Sequence, residues 1–529
     1  MPASYDLGLE AVPPLTTLPP LTARPKRSGL RIPRAVLLVG LTLGVCMDAL
    51  FYEKPLGVSV FLLVLLVGVS LLGLSGGEGV RANAKTGLLI GGPLLFFAVM
   101  IAVRANAFLT VANVSACLLL GALALHFYAA GWFGSLGLRG LIAAVARVAG
   151  HALWRAAPLL CDSMDVHAAV GGRRLLPLVR GLLLALPILL VFGALLASAD
   201  LVFARYVEQL ERLELPPGAD ILAGRLVNIL VAAWLLAGVL AYALLRGKTP
   251  DAPPAPVRPA ARRLGFTEAI TVLVSVVLLF GLFVAVQFAY LFGGSANVVS
   301  REGFTYAEYV HRGFGELVTV AALTLALLLG LHRAARRESP AAARAFNVVG
   351  TLLVALTLVL LASALQRLVL YEEAYGFTEA RLQVHVFLAW VGVLLIAVAG
   401  ALWRDARRGF ALGGLVAALG FVATLNVLNP DATVARQNLA RHRATGKIDV
   451  ACLAALSDDA TPLLAREAPT VRAVAPAGFD DGLGESGRLY TLADEVARRK
   501  QAMRADTRWQ AWPAFHFARA AAWRALAGG

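Results

Sequence analysis

Long apolar segments recur through most of the 529-residue chain, and they constrain its fold more than any other feature. A helix of about 20 apolar residues spans the hydrocarbon core of a bilayer, and segments of that kind repeat between residues 35 and 428. The chain is 59% hydrophobic and only 15% charged, and its mean hydropathy is +0.74. These values exclude a soluble enzyme, a fibre and a disordered chain.

The apolar segments predict an all-α fold, a polytopic integral membrane bundle of about eleven transmembrane helices with a small helical C-terminal tail. The first segment begins too late and lacks a small-residue cleavage site, so we expect an uncleaved first span rather than a signal peptide. The predicted spans are residues 35–51, 56–74, 87–104, 106–131, 176–199, 220–246, 266–292, 313–332, 346–370, 383–402 and 409–428.

The order of spans divides the chain into five predicted regions. The first region is rich in proline and arginine, a composition that cannot bury an apolar core and is typical of disorder. The regions are a disordered cytoplasmic tail (1–34), the first four transmembrane helices (35–131), a cytoplasmic loop with an amphipathic helix (132–175), a core of seven transmembrane helices (176–428) and an extracytoplasmic helical tail (429–529).

Two regions outside the spans are predicted to contain helices of their own. In the tail, Ser457 with Asp458 and Asp459 is expected to cap the third of several short helices. The stretch 504–526 mixes tryptophan, phenylalanine and arginine, which suits docking at the membrane interface or onto the spans, and equally suits a small core within the tail. The amphipathic helix of the cytoplasmic loop is predicted from the apolar spacing of Leu138, Ile142, Val145, Val148 and Leu153.

Lysine and arginine are distributed unequally between alternate connecting segments, and this bias predicts the orientation of the protein. With the N-terminus inside, the cytoplasmic segments hold 24 basic residues and the outer loops hold seven. An odd number of spans then places the tail outside the cytoplasmic membrane. We therefore expect a multi-pass protein of the bacterial inner membrane with a cytoplasmic N-terminus and an extracytoplasmic C-terminus.

The formal charge of +15 does not indicate nucleic-acid binding, because the cytoplasmic loops account for most of it. Cys46, Cys117, Cys161 and Cys452 lie far apart and form neither a disulfide framework nor a CxxC metal motif. No histidine spacing matches a zinc site, and no nucleotide-binding loop occurs. We expect no metal and no cofactor, and the lipid bilayer is the partner that the sequence implies directly.

Ionisable side chains near the outer ends of the spans are the most informative polar feature, since each costs roughly 2.5–3.5 kcal/mol at mid-membrane. Asp48, Asp200, Arg225, Arg367 and His385 all lie within a turn or two of a predicted outer end, and two adjoining loops are dense in carboxylates, tyrosines and arginines. We interpret this region as a candidate ligand site. Its residues are Tyr306, Glu308, Tyr309, His311, Arg312, Glu316, Arg367, Tyr371, Glu372, Tyr375, Glu379 and Arg381.

Two interpretations of this candidate site stay open. In the first, it receives an anionic or lipid-like ligand. In the second, it is a buried salt-bridge network that fixes the packing of the helices. An arginine at the depth of Arg367 needs a carboxylate partner, and Glu308 or Glu372 is the nearest candidate by predicted depth.

No catalytic signature decides whether the protein is an enzyme, and no residue is assigned a catalytic role. Gly73, Ser75 and Gly77 match the GxSxG pattern of hydrolases, but they follow an apolar span rather than a strand, so we interpret them as a flexible loop. Paired carboxylates at the outer face could do acid and base work on a lipid-linked sugar, but the sequence does not set their separation.

Four sequence stretches, in a fixed order, resemble a known group of membrane proteins. They are AYLFGG (289–294), FTYAEYVHRGFGEL (304–317), LYEEAYGFTEARL (370–382) and NPDATVARQNL (429–439). They are similar to bacterial multi-pass membrane proteins grouped as domain-of-unknown-function families 4153 and 4173, and the resemblance covers residues 180–440. It implies an integral membrane fold with a shared polar motif at the outer face, and no established activity or catalytic residue.

Three functional hypotheses follow from these observations. The leading one is a protein that binds or transports an anionic or lipid-like ligand at an outer-leaflet polar site. The second is a membrane-embedded envelope enzyme that acts on a lipid-linked substrate. The third is a non-catalytic membrane scaffold that holds a protein partner through its C-terminal tail.

Overall fold

The protein is α-helical throughout the part of the chain that the structure describes. Within that part there is no β-strand, and one isolated bridge joins Leu264 to Ala335. The predicted all-α class is therefore confirmed. The computed structural model describes residues 28–129, 137–164, 196, 219–248, 264–292, 314–404, 409–471 and 490–528.

Ten described helices are long and apolar enough to cross a membrane, and they coincide with ten of the eleven predicted spans. The remaining predicted span, 176–199, lies outside the described residues apart from Leu196. In chain order the described helices up to residue 428 are α1 (Pro33–Phe51), α2 (Val58–Glu78), α3 (Ala84–Val103), α4 (Ala107–His126), α5 (Leu138–Trp154), α6 (Ala156–Met164), α7 (Ala219–Arg246), α8 (Phe266–Phe292), α9 (Phe314–Ala334), α10 (Pro340–Tyr375), α11 (Glu379–Trp403) and α12 (Gly409–Leu428). All of these helices except α5 and α6 are candidate spans.

Three large apolar cores hold these helices together, and α12 contacts two of them. One core lies between α1, α2, α6 and α7, and a second lies between α8, α9, α10 and α11. The third lies between α3, α4 and α5, with side chains of α2 and α12 packed against it. Because α12 also packs along α11, the two helical groups α1–α7 and α8–α12 are joined through the contact of α12 with α4.

Helices α1 and α7 approach each other closely because small residues face each other along their contact. A Cβ atom on Gly44 would lie 2.5 Å from the carbonyl oxygen of Ile229, so only glycine fits there. At the end of this contact, Nη2 and Nε of Arg225 donate hydrogen bonds to the Asp48 carboxylate at 2.7 and 3.0 Å. Asp48 and Arg225, which were both predicted to lie near the outer ends of their spans, thus form an ion pair.

Helix α10 is longer than the predicted span at 346–370. The Ser339 hydroxyl caps its start by accepting a hydrogen bond from the amide of Ala342 at 3.1 Å. The helix ends before Gly376, whose φ of +86° favours glycine. The predicted span was too short at both ends because residues 340–345 and 371–375 are polar or small and do not raise the hydropathy. These residues are nevertheless compatible with a helix. Residues 371–375 therefore extend the span as continuous helix.

The GxSxG pattern lies inside a helix and not in the flexible loop that we predicted. Its residues occupy the last turns of α2, which continues to a left-handed C-cap at Gly79 with a φ of +70°. The buried Ser75 hydroxyl donates to the carbonyl oxygen of Leu71 at 2.5 Å and lies 2.7 Å from the hydroxyl of Tyr128. This serine contributes to helix packing and does not lie on a strained turn between a strand and a helix.

The described chain begins within the region predicted to be a disordered tail. The amide of Ser28 donates to the Asp162 carboxylate in α6 at 2.7 Å, and the amide of Ile32 donates to Glu78 of α2 at 2.8 Å. These contacts order the segment just before α1. The rest of the predicted tail, residues 1–27, lies outside the described residues.

Helix α5 forms where the sequence predicted an amphipathic helix, but its apolar residues lie on two sides. Leu141, Ala144 and Val148 are buried. Leu138 and Ile142 are 63% and 61% exposed. One apolar side therefore packs on the protein, where α5 contacts α4 and α7, and the other faces outward.

The residues after α12 form a helical cap at the end of the bundle opposite to the start of α1, which confirms the predicted helical tail. We call described residues 430–471 and 490–528 the cap. Buried side chains including Val434, Leu453 and Leu464 form its core. Its helices are α13 (Pro430–Thr445), α14 (Val450–Ala454), α15 (Thr461–Glu467), α16 (Leu492–Ala505) and α17 (Phe517–Ala527), with 3-10 turns at Arg508–Gln510 and Trp512–Ala514.

The prediction that Ser457 with Asp458 and Asp459 caps the third short helix is wrong. Helix α15 begins later, its N-cap is Ala460, and no side chain caps it. A proline in its first turn removes one amide that would otherwise need an acceptor. The Asp459 carboxylate instead accepts hydrogen bonds from the loop between two spans, as described below.

Arg499 of α16 is a nearly buried cation that holds the centre of the cap together. It is 7% exposed. Its Nη2 donates to the carbonyl oxygens of Ala454 and Leu456 at 3.0 and 2.6 Å, and its Nε donates to Glu495 at 2.5 Å. A buried charge is stable only where its donors find acceptors; here Glu495 lies on α16 itself, and the two carbonyl oxygens lie at the end of α14. Arg499 thereby connects α16 to α14.

Candidate functional site

The structure describes seven of the twelve residues predicted for the ligand site, and six of them lie around one helix turn. Glu316 is exposed in the first turn of α9. The other six surround the turn that joins α10 to α11, at the end of the bundle that carries the cap. They are Arg367, Tyr371, Glu372, Tyr375, Glu379 and Arg381, whereas Tyr306, Glu308, Tyr309, His311 and Arg312 lie outside the described residues.

The α10–α11 turn is held by a side chain from the cap. Asn438 of α13 accepts a hydrogen bond from the amide of Phe377 at 3.0 Å and donates to its carbonyl oxygen at 2.8 Å. A Cβ atom on Gly376 would lie 2.9 Å from Oδ1 of Asn438, so the close approach requires glycine as well as the left-handed φ does. The stretches LYEEAYGFTEARL and NPDATVARQNL therefore meet at this turn.

Arg381 is fixed in place within the same turn. Its guanidinium lies over the ring of Tyr371, 4.3 Å from the centroid, and it donates a hydrogen bond to the carbonyl oxygen of Gly376. The ring of Tyr371 lies 4.7 Å from that of Tyr375. The predicted tyrosines and arginine thus form one stacked group at the end of α10.

Glu372 faces a histidine across a cleft at this end of the bundle. The residue is 4% exposed, and its Oε1 lies 3.5 Å from Nδ1 of His385 and accepts no hydrogen bond from the described residues. Nδ1 of His385 also lies 3.1 Å from the carbonyl oxygen of Arg381. The cleft has a volume of about 350 Å³ and is lined by Glu372, Phe377, Leu382, His385, Val386, Ala389, Trp390, Thr424 and Leu428.

The position of Glu372 bears on the expectation that Arg367 pairs with Glu308 or Glu372. Glu372 was one of two candidates for pairing with Arg367, and the side chain that faces it is His385. His385 is one of the ionisable residues predicted near an outer span end, but it is not among the twelve residues predicted for the ligand site. Arg367 lies one turn before Tyr371 on α10 and is half-buried.

A second polar cluster joins the cap to the loop between α3 and α4. The Asp459 carboxylate accepts a hydrogen bond from the amide of Ala105 at 2.6 Å and one from Nη1 of Arg104 at 3.4 Å. Beside it, Asp431 accepts from Nδ2 of Asn106 at 3.0 Å. Each contact connects a cap carboxylate to the end of a span, so the cap is tied to the bundle by directed polar bonds.

Burial outweighs these bonds in its effect on the pKa of the Asp459 carboxyl. Loss of water raises the pKa of the Asp459 carboxyl, and the nearby Asp431 raises it further. The Ala105 amide and Arg104 oppose this rise but do not cancel it. The Asp459 contacts therefore specify where the cap docks more than they add to its stability.

The two helical groups meet near this cluster through a pair of fully buried amides. Asn113 of α4 and Asn426 of α12 are each 0% exposed. Nδ2 of Asn113 donates to Oδ1 of Asn426 at 3.0 Å, and Nδ2 of Asn426 donates back at 2.7 Å. The carbonyl oxygen of Asn426 accepts from Nε of Arg104 at 2.7 Å. Both side chains are satisfied, so the pair fixes the register of α4 against α12.

The last part of the cap docks directly onto the spans. The carbonyl oxygen of Phe515 accepts a hydrogen bond from the amide of Val58 at 3.0 Å, and a Cβ atom on Gly57 would lie 2.6 Å from that oxygen. Trp509 and Trp523 instead pack against each other within the cap, with ring centroids 5.8 Å apart. The aromatic stretch 504–526 therefore docks onto the spans and also contributes to a small core within the cap.

His516 is buried where the cap meets the spans, and its pKa depends on that burial. It is 4% exposed. Desolvation, with a contribution from Arg519, lowers its pKa from 6.5 to about 4, although the carbonyl oxygens of Arg104 and Ile101 act in the opposite direction. The imidazole is therefore neutral in the docked cap at neutral pH.

We expect acid to weaken the cap through His516. The pKa of His516 is about 4 in the folded protein and 6.5 in the unfolded chain, so protonation favours the unfolded chain. The free energy of unfolding is therefore highest above pH 6.5 and falls as the pH drops toward 4. At about 1.4 kcal/mol per pKa unit, the loss is roughly 3 kcal/mol. Thermal unfolding of the full-length protein, followed by tryptophan fluorescence across this range, measures the loss. The variant His516→Gln should show a weaker pH dependence than the wild type, and identical profiles would contradict the assignment.

The described residues contain no group of three or more histidine, cysteine, aspartate or glutamate side chains arranged to hold a metal ion. Cys46, Cys117, Cys161 and Cys452 are all free thiols. The polar chemistry of the candidate site is therefore that of carboxylates, an imidazole, guanidinium groups and tyrosine rings.

The fold and the site define a class of protein: a multi-pass α-helical membrane protein whose spans carry a folded polar cap at one end. The model of the family described as domain of unknown function DUF4153 matches residues 91–467, which are 377 of the 529 residues. The chain belongs to this family. The match includes the α10–α11 turn and the α12–α13 junction, and it begins well before residue 180, where the resemblance seen in the sequence starts. No curated protein and no solved structure matched the chain.

Proposed function

We propose that the protein binds or transports a lipid-like ligand, whose polar head enters the cleft beside the α10–α11 turn. The observation that carries this proposal is the Glu372 carboxylate, which is buried beside an open cleft while its Oε1 accepts no hydrogen bond from the described residues. A buried carboxylate oxygen without a donor is costly, and a ligand hydroxyl or amine would satisfy it. By the predicted orientation, this end of the bundle lies in the outer leaflet.

The chemistry of the cleft favours an amphiphile over a small free anion. Six of its nine lining residues are apolar, and the polar groups Glu372 and His385 lie together. A carboxylate repels a bare anion, whereas a headgroup with hydroxyl or amino groups can donate to Glu372 while its chain contacts residues such as Leu428 and Trp390. Arg381, held nearby by Tyr371, offers a positive charge to a headgroup that also carries a phosphate or carboxylate.

The proposal predicts that Glu372→Gln lowers ligand retention while the adjacent variant Glu373→Gln does not. Glu373 is exposed on the same helix, so it controls for the loss of one carboxylate at this depth. Hydrogen bonds to a charged group contribute roughly 1.5–3 kcal/mol, so affinity should fall at least about tenfold. Mass spectrometry of the lipids and small molecules that co-purify with each protein, at matched thermal stability, measures the change.

The same comparison separates the proposal from the other two hypotheses. If both variants retain the same molecules as the wild type, the cleft is not the ligand site. An enzyme would keep its substrate bound in Glu372→Gln but stop converting it. A scaffold would retain a protein partner through the cap and no specific small molecule in any of the three preparations.

A further inference from the structure

A large apolar groove lies at the end of the bundle opposite to the cap, away from the cleft described above. Its volume is about 680 Å³, within the range of sites that enclose small molecules. Helices α4 and α5 form one side, and α9, α11 and α12 form the other. The groove therefore lies at the boundary between the two helical groups, and four of its five helices are candidate membrane spans.

The surface helix α5 contributes an apolar face to this groove that the protein itself does not cover. Leu138, Leu141 and Ile142 all line the groove; Leu138 and Ile142 are 63% and 61% exposed, whereas Leu141 also packs against α4 and is buried. Exposed leucine and isoleucine on a helix that packs beside candidate membrane spans are stable only against lipid chains or another apolar surface. The α5 side of the groove is suited to hydrocarbon.

The polar groups of the groove are basic and lie at one end of it. Among the described lining residues, all are apolar or glycine except His332 and Arg333, in the last turn of α9, and none is acidic. His332 is buried beside the ring of Phe410, with centroids 5.7 Å apart, while Arg333 is exposed. An apolar trench with a cation at its edge complements a molecule with hydrocarbon chains and a negative headgroup.

We propose that this groove binds an anionic phospholipid of the surrounding leaflet, with its acyl chains against α5 and α12 and its phosphate at Arg333. The exposed apolar face of α5, the candidate membrane spans that form the rest of the groove and the exposed guanidinium of Arg333 all favour this occupant. A peptide would need partners for its backbone groups, and the described lining offers almost none. The site is independent of the Glu372 cleft, which has a carboxylate and lies at the other end of the spans.

The requirement for a negative headgroup is tested by comparing how much anionic phosphatidylglycerol and how much zwitterionic phosphatidylcholine the protein retains. We expect the purified wild-type protein, exchanged into mixed nanodiscs of the two lipids, to retain phosphatidylglycerol preferentially in native mass spectrometry. Arg333→Gln should reduce this preference about fivefold. Arg344→Gln, which removes an exposed arginine at the same end of the bundle outside the groove, should leave it unchanged. Equal retention of both lipids by the wild type, or equal losses in the two variants, would overturn the proposal.

The position of the acyl chains is tested by substitutions that place a bulky side chain inside or outside the groove. Ala146→Trp places a ring in the groove and should abolish preferential retention, whereas Ala143→Trp on the exposed side of α5 outside the groove should preserve it. A photo-crosslinking residue at Ile142 should add the mass of a phospholipid. A crosslink to a peptide of this chain would show that the occupant is not a phospholipid. Displacement of the bound species by glycerol phosphate alone would show that acyl chains do not hold it in the groove, and either result would overturn the proposal.

Discussion

Replacing Arg499 with methionine is expected to unfold much of the cap in the full-length protein. Methionine keeps most of the volume but removes every hydrogen bond to Ala454, Leu456 and Glu495. Removing one partner of a buried ion pair costs roughly 3–5 kcal/mol, which is a large fraction of the stability of a typical domain. Limited proteolysis of protein in native membranes, with the fragments identified by mass spectrometry, should reveal new cleavage within α14 and α16.

A matched control lies on the same helix. Arg504, in the last turn of α16, is exposed, so Arg504→Met removes the same charge without leaving a buried acceptor. Exposed substitutions of this kind change stability by about 0.5 kcal/mol or less. If Arg499→Met is cleaved no faster than Arg504→Met, the buried arginine does not hold the cap together.

Replacing Asp459 with alanine should loosen the cap from the spans while leaving the cap folded. The substitution removes the acceptor for the Ala105 amide and for Arg104, both at the end of α3. Leaving such groups unsatisfied costs roughly 2 kcal/mol, which corresponds to about 30-fold faster hydrogen exchange of the α3–α4 loop if that loop opens locally. Hydrogen exchange mass spectrometry of the full-length protein resolves peptides from this loop.

The neighbouring aspartate provides the comparison for this experiment. The side chain of Asp458 is 30% exposed, and Arg519 approaches it only to 3.8 Å. Asp458→Ala should therefore change exchange in the α3–α4 loop by less than a factor of about two, as expected for a surface ion pair. Faster exchange in both variants to the same extent would mean that the Ala105 contact is not specific.

The membrane spans could be predicted well from the sequence because their cause is local. An apolar segment of about 20 residues must form a helix in a bilayer wherever its partners lie, and the predicted 266–292 and 409–428 agree with α8 and α12. The ends of α10 were missed because they are set by Ser339 and Gly376, whose effect is on backbone geometry and not on hydropathy.

The partners of polar residues could not be predicted, because they come from distant parts of the chain. The sequence placed Glu372 and His385 near the same end of the spans, but only the α10–α11 hairpin brings them to 3.5 Å. Asp459 looked like a helix cap because aspartate often is one, and its real partner, Ala105, lies 354 residues away. The stretch NPDATVARQNL held the clearest available signal, since it contains Asn438, which fixes the turn of the site.

The pairing of α1 with α7 also affects how the protein is made. Asp48 of α1 is 7% exposed, and its partner Arg225 follows 177 residues later. At about 5–20 residues per second, the ribosome synthesises Arg225 roughly 10–35 s after Asp48. During co-translational insertion, α1 must therefore remain in the membrane with a carboxylate that has no arginine partner. The insertion machinery, or helices made earlier than α7, must shelter this helix until its partner arrives.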